Sequence, residues 1–334
     1  MIKDCIIYVY YALLCVWSVR VIQVFIDGQE GTTGLAIESL LAARTDIRLL
    51  RIDASRRKDP AARKAMLNQA DVAVLCLPDE AARESVAMTV NPDVRILDAS
   101  TAHRTMTGWA YGFAELSGKH RQAIATGRRI AVPGCHATGF VAAVYPLVAS
   151  GLLPKDVPLT CHSVTGYSGG GKKMIMAYED QNRPVAFSSP RQYALNLSHK
   201  HLPEMTRATG LETPPAFNPI VCDFYAGMAV SVPLHARQFT KPMTRAGLQE
   251  FLSEYYNKQR FVTVRDAPAD GFLPANLLVG TNELSLYVNG NDDMFTLVSV
   301  LDNLGKGAAG AAMQNLNIAM GLPEDTGFQE RKGS

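Results

Sequence analysis

Short hydrophobic runs alternate with helix-like repeats along the first part of the chain. Runs of strand length, rich in β-branched residues, cover 21–27, 46–53, 71–77, 95–99 and 130–132. Between them, apolar residues recur at helical spacing over 35–41, 61–69 and 80–89. This alternation predicts right-handed βαβ units and a parallel, doubly wound sheet.

The pattern changes after residue 135. Helical spacing over 137–150 is followed by strand-like runs at 159–165, 227–234, 261–264, 283–288 and 295–301. Helical patterns also cover 245–257 and 307–320, the latter closed by Gly321 and Pro323. Because these later strands lack βαβ spacing, we expect a second, α+β domain with a mixed or antiparallel sheet. The overall class is α/β.

Length, charge and cysteine content narrow the functional classes. A chain of 334 residues exceeds one usual compact core, so two domains are expected. A net charge of +2 does not favour nucleic acid or an acidic membrane, and a small-molecule partner is expected instead. The six cysteines show no zinc or CxxC spacing, which is typical of a reduced, cytoplasmic protein without a metal site.

An apolar run over residues 5–17 precedes the first strand. It is shorter than the roughly 20 residues that cross a bilayer, and Ser18-Val19-Arg20 is a poor signal-peptide cleavage site. We interpret residues 1–20 as an extension outside the fold with no membrane role. An export signal or an additional packed element is the alternative.

Gly28, Gly31 and Gly34 form a GxxGxxG turn between the first strand and the first helix. Glycines in this context allow the backbone to approach a pyrophosphate at the helix N-terminus. Thr32 and Thr33 lie within the turn and are further candidates for cofactor binding. The alternative is an ordinary tight turn.

A basic cluster follows the second strand. Ser55, Arg56 and Arg57 suit the 2′-phosphate of NADP(H), whereas Asp53 just before them suits the ribose hydroxyls of NAD. The adjacent cations favour NADP(H). A solvated loop without a specific role is the alternative.

Cys135 follows Pro133-Gly134 at the start of an apolar helix. The helix dipole and free N–H groups there favour a thiolate and can also hold an oxyanion. A thiolate beside a nicotinamide predicts displacement of phosphate from an acyl phosphate, followed by reduction of the thioester to an aldehyde. The alternative is a small buried hydrophobe.

The segment from His199 to Glu204 supplies the polar groups that this chemistry needs. His199 and His201 are candidate acid/bases, and Glu204 is a candidate to orient the active ring. In an extended segment only one of the two histidines faces a given side. His136 is expected to point away from the site, and a metal role for HxH has little support.

Cations and hydroxyls near Cys135 are candidates for binding a substrate phosphate. Arg104 ranks first because it follows a strand end, and Lys172 and Lys173 come next, with solvated surface as their alternative. Ser100 and Thr101 are weaker candidates for contacts to cofactor or phosphate.

Six motifs in order resemble one known family. They are FIDGQEGTTGL (25–35), LDASTAHR (97–104), VPGCHATG (132–139), TGYSGGGK (165–172), HKHLPE (199–204) and DNLGKGAAGAAMQNLN (302–317). The chain thereby resembles the N-acetyl-γ-glutamyl-phosphate reductases of arginine biosynthesis, in their shorter type. The likeness runs from about residue 24 to about residue 323.

The resemblance implies two domains and a reaction. It implies a Rossmann-like NADP-binding domain over 21–135 and 302–334, and an α+β catalytic and dimerisation domain over 136–301. It implies NADPH-dependent reduction of N-acetylglutamyl 5-phosphate to the 5-semialdehyde, with phosphate released, by a homo-oligomer (dimer or tetramer). Cys135 matches the family's nucleophile, and His199 its acid/base ahead of His201.

The resemblance also suggests contacts for two further loops. The loop from Ser168 through Gly169 to Lys172 lies where the family approaches substrate and cofactor. Asn303 and Gly305 lie where its last segment returns over the nicotinamide. Three readings remain open beside this one: an aspartate-semialdehyde dehydrogenase, a non-catalytic dinucleotide-binding module and a cysteine hydrolase.

Overall fold

A computed structural model describes residues 21–328 as two β-sheets with flanking helices. The strands are β1 (Ile22–Asp27), β2 (Ile47–Leu50), β3 (Val72–Leu75), β4 (Arg95–Asp98), β5 (Ala110–Tyr111), β6 (Arg129–Ala131), β7 (Thr160–Gly166), β8 (Arg191–Gln192), β9 (Ala216–Cys222), β10 (Met228–His235), β11 (Val262–Arg265), β12 (Leu284–Gly290) and β13 (Met294–Leu301). The α-helices are α1 (Thr32–Leu41), α2 (Pro60–Gln69), α3 (Asp79–Met88), α4 (Gly118–Thr126), α5 (Cys135–Ala149), α6 (Gly171–Glu179), α7 (Leu202–Thr209), α8 (Arg245–Tyr256) and α9 (Gly310–Ala319).

The first sheet is parallel throughout, in the order β2-β1-β3-β4-β6-β5. Its strands are buried on both faces: Val24 packs toward α1 and α9, and Phe25 packs toward α2. Strand β1 lies between β2 and β3, so the strand order reverses direction at this point of the sheet. The carboxyl ends of β1 and β3 therefore form the crevice in which sheets of this kind bind ligands.

The second sheet is mixed, in the order β11-β12-β13-β10-β7-β9-β8. Strands β12, β13, β10 and β7 run antiparallel to their neighbours in turn, while β7 pairs parallel with β9. Helices α5 and α8 cover one face, with Phe140 and Leu248 in the core. Helix α5 is apolar around nearly its whole circumference because it is almost entirely buried.

The last helix returns to the first sheet. A π-helical turn over residues 305–309 precedes α9, which packs against α1 and α4. A Cβ at Gly307 would lie 2.7 Å from the Cβ of Cys135, so only glycine allows this approach. The return brings residues 303–308 to the start of α5, as the small residues of this segment predict.

Most predicted elements of both sheets are confirmed, and the fold class is confirmed. The sequence interpretation missed α4, α6, α7 and β9, together with the two-residue strands β5 and β8. The apolar run over residues 5–17 lies outside the described residues. Within residues 21–328, no helix is both long enough and apolar enough to span a membrane.

Candidate active site

The glycine turn lies at the crevice between β1 and β3. Gly28 has φ +90°, and a Cβ there would clash with the backbone carbonyl of Cys76 just after β3. Gly31 is the N-cap of α1, whose first turn holds no acidic residue. The hydroxyl oxygen of Thr32 is buried without a hydrogen-bond partner among the described residues. Free N–H groups and an unsatisfied hydroxyl form a cradle for an anion.

Cys135 is the first residue of α5 and lies in a cavity of about 350 Å³ between the two sheets. Its neighbour Gly134 has extended backbone, which ends the preceding loop and leaves the first N–H groups of the helix free. Thr32 and Thr33 of the glycine turn line the same cavity. The structure thus brings the predicted nucleophile and the predicted cofactor turn together.

The thiol is not activated in the way its position suggested. Burial raises the pKa of Cys135, and it outweighs the N–H of His136 and the charges of Arg104 and Lys200, which lower it. Glu204 adds to the rise. The helix terminus favours the thiolate as expected, but desolvation of the charged form opposes it and has the larger effect.

This balance gives a pH dependence that alkylation can measure. A raised pKa keeps the thiol protonated over a wider range, so reactivity increases as pH rises through the folded-state pKa. We expect iodoacetamide to alkylate Cys135 with a midpoint above the roughly 8.5 of a free cysteine. Peptide mass spectrometry would give the rate at each pH. A midpoint below 8 would contradict the dominance of burial.

Both histidines of the HxH segment face the cavity, together with His136. Residues 199–201 form a turn and not an extended segment, so the condition under which only one of them would face the site is not met. The ring centroids of His199 and His201 are 4.8 Å apart, and that of His136 lies 5.5 Å from that of His199. His136 is therefore a site residue that was expected to point away. Its ring bonds Ser163 and Tyr193.

The protonation of these rings follows from their surroundings. Burial and then Lys200 lower the pKa of His199 to about 4. Burial and then Arg104 hold the pKa of His201 well below its usual range. The Nδ1 of His199 accepts the N–H of His201 at 3.1 Å, so the neutral ring carries its proton on Nε2. The Nδ1 of His201 is buried and unpartnered within residues 21–328.

Glu204 does not orient a histidine ring. Its Oε2 accepts from Nη1 of Arg104 at 2.9 Å, and its Oε1 accepts from the Tyr111 hydroxyl and the Gly134 N–H, both at 2.9 Å. Arg104 also donates to the carbonyls of Val132 and Ala99. Arg104 lines the cavity, whereas Glu204 does not.

The remaining predicted residues divide between the cavity and other places. Ser168, Gly169 and Asn303 line it, and Asn303 donates to Ser168 Oγ at 2.9 Å while accepting from the Gly227 N–H. Five do not line it: Lys172 and Lys173 are exposed on α6, the Ser100 hydroxyl bonds Asp98, the Thr101 hydroxyl bonds Asp79, and Gly305 packs against the carbonyl of Thr281.

Sequence reasoning missed Lys200 as a site residue. Its side chain lines the cavity and forms no ion pair with any residue between 21 and 328. Lys200 lies between the two histidines in the sequence, and that position could have indicated that it belongs to the site. In a turn, the side chains of three consecutive residues can all approach the same cavity.

A second cavity of about 410 Å³ extends from the other side of the glycine turn. Arg57 and Lys58 line it, and Arg57 forms an ion pair with Glu30. The other two members of the predicted basic cluster turn elsewhere. Arg56 bonds Asp59, and the Ser55 hydroxyl bonds Asp53.

Comparison with known proteins agrees with the architecture. The family model described as "Semialdehyde dehydrogenase, dimerisation domain" matches residues 135–303. Aspartate semialdehyde dehydrogenase II from Vibrio cholerae superposes with a TM-score of 0.69 at 14% identity, over 90% of this chain and 98% of that one. The enzyme from Candida albicans, solved with NADP, gives 0.63 at 14% identity, over 90% and 98%. The fold is that of the semialdehyde dehydrogenases.

Closer relatives fix the family. N-acetyl-gamma-glutamyl-phosphate reductase 2 from Nostoc sp. is 47% identical over 320 residues, which is 92% of this chain and 99% of that protein. The protein of the same name from Pseudomonas putida is 45% identical over 305 residues, which is 89% of this chain and 96% of that protein. The chain belongs to the N-acetyl-gamma-glutamyl-phosphate reductase family.

Proposed function

We propose that this protein reduces N-acetyl-L-glutamyl 5-phosphate to N-acetyl-L-glutamate 5-semialdehyde with NADPH, releasing phosphate. The observation that carries the proposal is the single cavity that Cys135 shares with His199, His201 and the threonines of the glycine turn. The names of the relatives, at 43–47% identity, supply the substrate. The name of the matching family model supports a homo-oligomer.

The glycine turn fits a dinucleotide. Gly28, Gly31, Thr32, Thr33 and Gly34 would hold its phosphates, because the first N–H groups of α1 are available there and the Thr32 hydroxyl has no partner among the described residues. When bound, NADPH supplies the hydride that reduces the thioester to the aldehyde level. Asn303 bonds Ser168 across the two halves of the chain and closes this side of the cavity.

The chain's own groups perform the acyl transfer. The Cys135 thiolate attacks the acyl carbon, the bond to phosphate breaks, and a thioester remains. Later cleavage of the carbon–sulfur bond releases the aldehyde and restores the thiolate. Free N–H groups at the start of α5 stabilise the oxyanion in both steps. His199 takes the proton from the thiol as the thioester forms, and it can give that proton to the departing phosphate or back to the thiolate once the carbon–sulfur bond has broken.

The phosphate of the substrate requires a cation, and two are available. Lys200 lines the cavity without an ion pair among the described residues. Arg104 donates three of its N–H groups to the protein, and the other two have no partner within residues 21–328. A bound phosphate dianion favours protonated imidazole, so substrate raises the pKa of His199 toward the working range.

The testing experiment is a substrate comparison with purified protein. NADP reduction would be followed with N-acetylglutamate semialdehyde and inorganic phosphate, with aspartate semialdehyde as control. We expect phosphate-dependent reduction with the acetylated substrate and at least a hundredfold lower kcat/KM with the control. Preference for aspartate semialdehyde, or no reduction with either, would contradict the proposal.

We propose that the residues lining the second cavity determine the preference for NADPH over NADH. We expect Arg57→Ala to weaken NADPH binding by about tenfold or more, because a charge-assisted bond to the 2′-phosphate is lost. NADH binding would change less than twofold. Arg56→Ala is the matched control, since its guanidinium bonds Asp59. Fluorescence titration measures both affinities; equal losses for the two cofactors would show that Arg57 does not bind the 2′-phosphate.

A further inference from the structure

A buried carboxylate joins four separate segments of the chain behind the active site. Glu204 lies in the first turn of α7 and is 2% exposed. Its three hydrogen-bond partners come from β5, from the loop after β4 and from the start of α5: Tyr111, Arg104 and Gly134. The carboxylate therefore links the half of the chain that carries the second sheet to the half that carries the first.

We infer that Glu204 and Tyr111 are positioning residues, which fix the start of helix α5 and the Arg104 guanidinium so that Cys135 is presented correctly. The inference rests on the proposed function and adds Tyr111 to it. Neither residue lines the cavity of Cys135. Both act through groups that do, because Gly134 and Arg104 line that cavity.

Glu204 does not line the cavity and is held by three donors, so it is not placed to exchange a proton with substrate. Oε1 accepts two hydrogen bonds and Oε2 accepts one, each 2.9 Å long. A buried charge held in this way is stable only while its partners stay in place. The bond to the Gly134 N–H fixes the Pro133–Gly134 peptide just before the start of α5, and thereby the direction of the free N–H groups that follow.

Tyr111 is suited to hold the carboxylate at every working pH. Burial, and then the charge of Glu204, raise the pKa of the Tyr111 phenol well above its usual range, so it remains a donor. Its strand β5 pairs with β6, Tyr111 lying beside Ala131. Strand β6 leads directly to residues 132–134. The pairing of β5 with β6 therefore positions both the Tyr111 hydroxyl and the residues before α5 that it helps to fix.

The test measures Cys135 itself and needs no substrate. Iodoacetamide alkylation would be followed against pH in Tyr111→Phe, Glu204→Gln and the double variant. Tyr111→Phe removes a donor that neutralises part of the carboxylate charge, so the pKa of the thiol rises; we expect about threefold slower alkylation at pH 7.5. Glu204→Gln removes the charge that raises the pKa of Cys135, so alkylation becomes faster by a similar factor.

The double variant separates positioning through Glu204 from an independent role of Tyr111. It should match Glu204→Gln within twofold, because Tyr111 acts only through the carboxylate. Additive effects, shifts in the same direction, or no shift in Tyr111→Phe would each overturn the inference. If Glu204→Gln has lost its thermal transition, Tyr111→Phe decides alone.

Turnover adds a second readout and a control. We expect Tyr111→Phe to lower kcat about tenfold while KM for NADPH changes less than twofold. Tyr255→Phe is the matched control, since that hydroxyl donates to the Leu116 carbonyl outside the cavity. Wild-type protein that is inactive on the acetylated substrate would refute the proposed function, whereas the alkylation results would still decide the role of Tyr111.

Discussion

Cys135→Ser is expected to lower aldehyde formation by at least about a thousandfold while leaving the Kd for NADPH within twofold of wild type. A serine hydroxyl titrates far above a thiol, and the neighbouring histidines are weak bases, the pKa of His199 being about 4. The cofactor turn is formed by residues 28–34 and does not include the thiol. NADPH oxidation in the presence of the acyl phosphate measures turnover, and fluorescence titration measures binding.

The matched control for this substitution is Cys222→Ser. Cys222 ends β9, is half-buried like Cys135 and does not line the active-site cavity. It should retain turnover within about threefold. Substantial turnover by Cys135→Ser would rule out the thioester and leave direct hydride transfer to the acyl phosphate. Loss of NADPH binding would instead show that the substitution disturbs the site as a whole.

The first sheet was predictable because each βαβ unit carries its own signals. Strand β1 is a continuous apolar run, and Gly28 ends it with a backbone conformation that glycine adopts freely. The second sheet is less regular. Strand β9 contains Pro219, which argues against a strand in the sequence, yet it forms between β7 and β8. The two-residue strand β5 has no pattern to detect.

Long-range pairing explains what the sequence did not reveal about the site. Glu204 and Arg104 are 100 positions apart, and no local periodicity shows that one carboxylate meets that guanidinium. Proximity in sequence suggested instead that Glu204 orients His199 or His201. The positions of Cys135 and the glycine turn were easier to predict, because both follow from the ends of parallel strands, which meet at one edge.

The pKa of Cys135 shows that a local rule can give the direction of one contribution without giving the direction of the net shift. A helix N-terminus favours a thiolate, and the His136 N–H does lower the pKa of Cys135. Burial between two sheets has the larger effect, and burial depends on the whole fold.

His199→Asn is expected to lower kcat by about a hundredfold, the usual contribution of a positioned acid/base. Asparagine places its Oδ1 near the position of the imidazole Nδ1, so it can still accept the N–H of His201 at the turn. It lacks the nitrogen at the Nε2 position that carries the proton. The turn is thus preserved while proton transfer is removed, which separates catalysis from local folding.

The pH profile and two further variants complete this test. Because the pKa of His199 is about 4 in the free protein, the acidic limb of kcat/KM should lie near pH 4 and disappear in His199→Asn. His162→Asn, on the exposed side of β7, should leave kcat unchanged. If His201→Asn abolishes turnover while His199→Asn keeps it within fivefold, the buried ring of His201 transfers the proton, and His199 only holds the turn through its Nδ1.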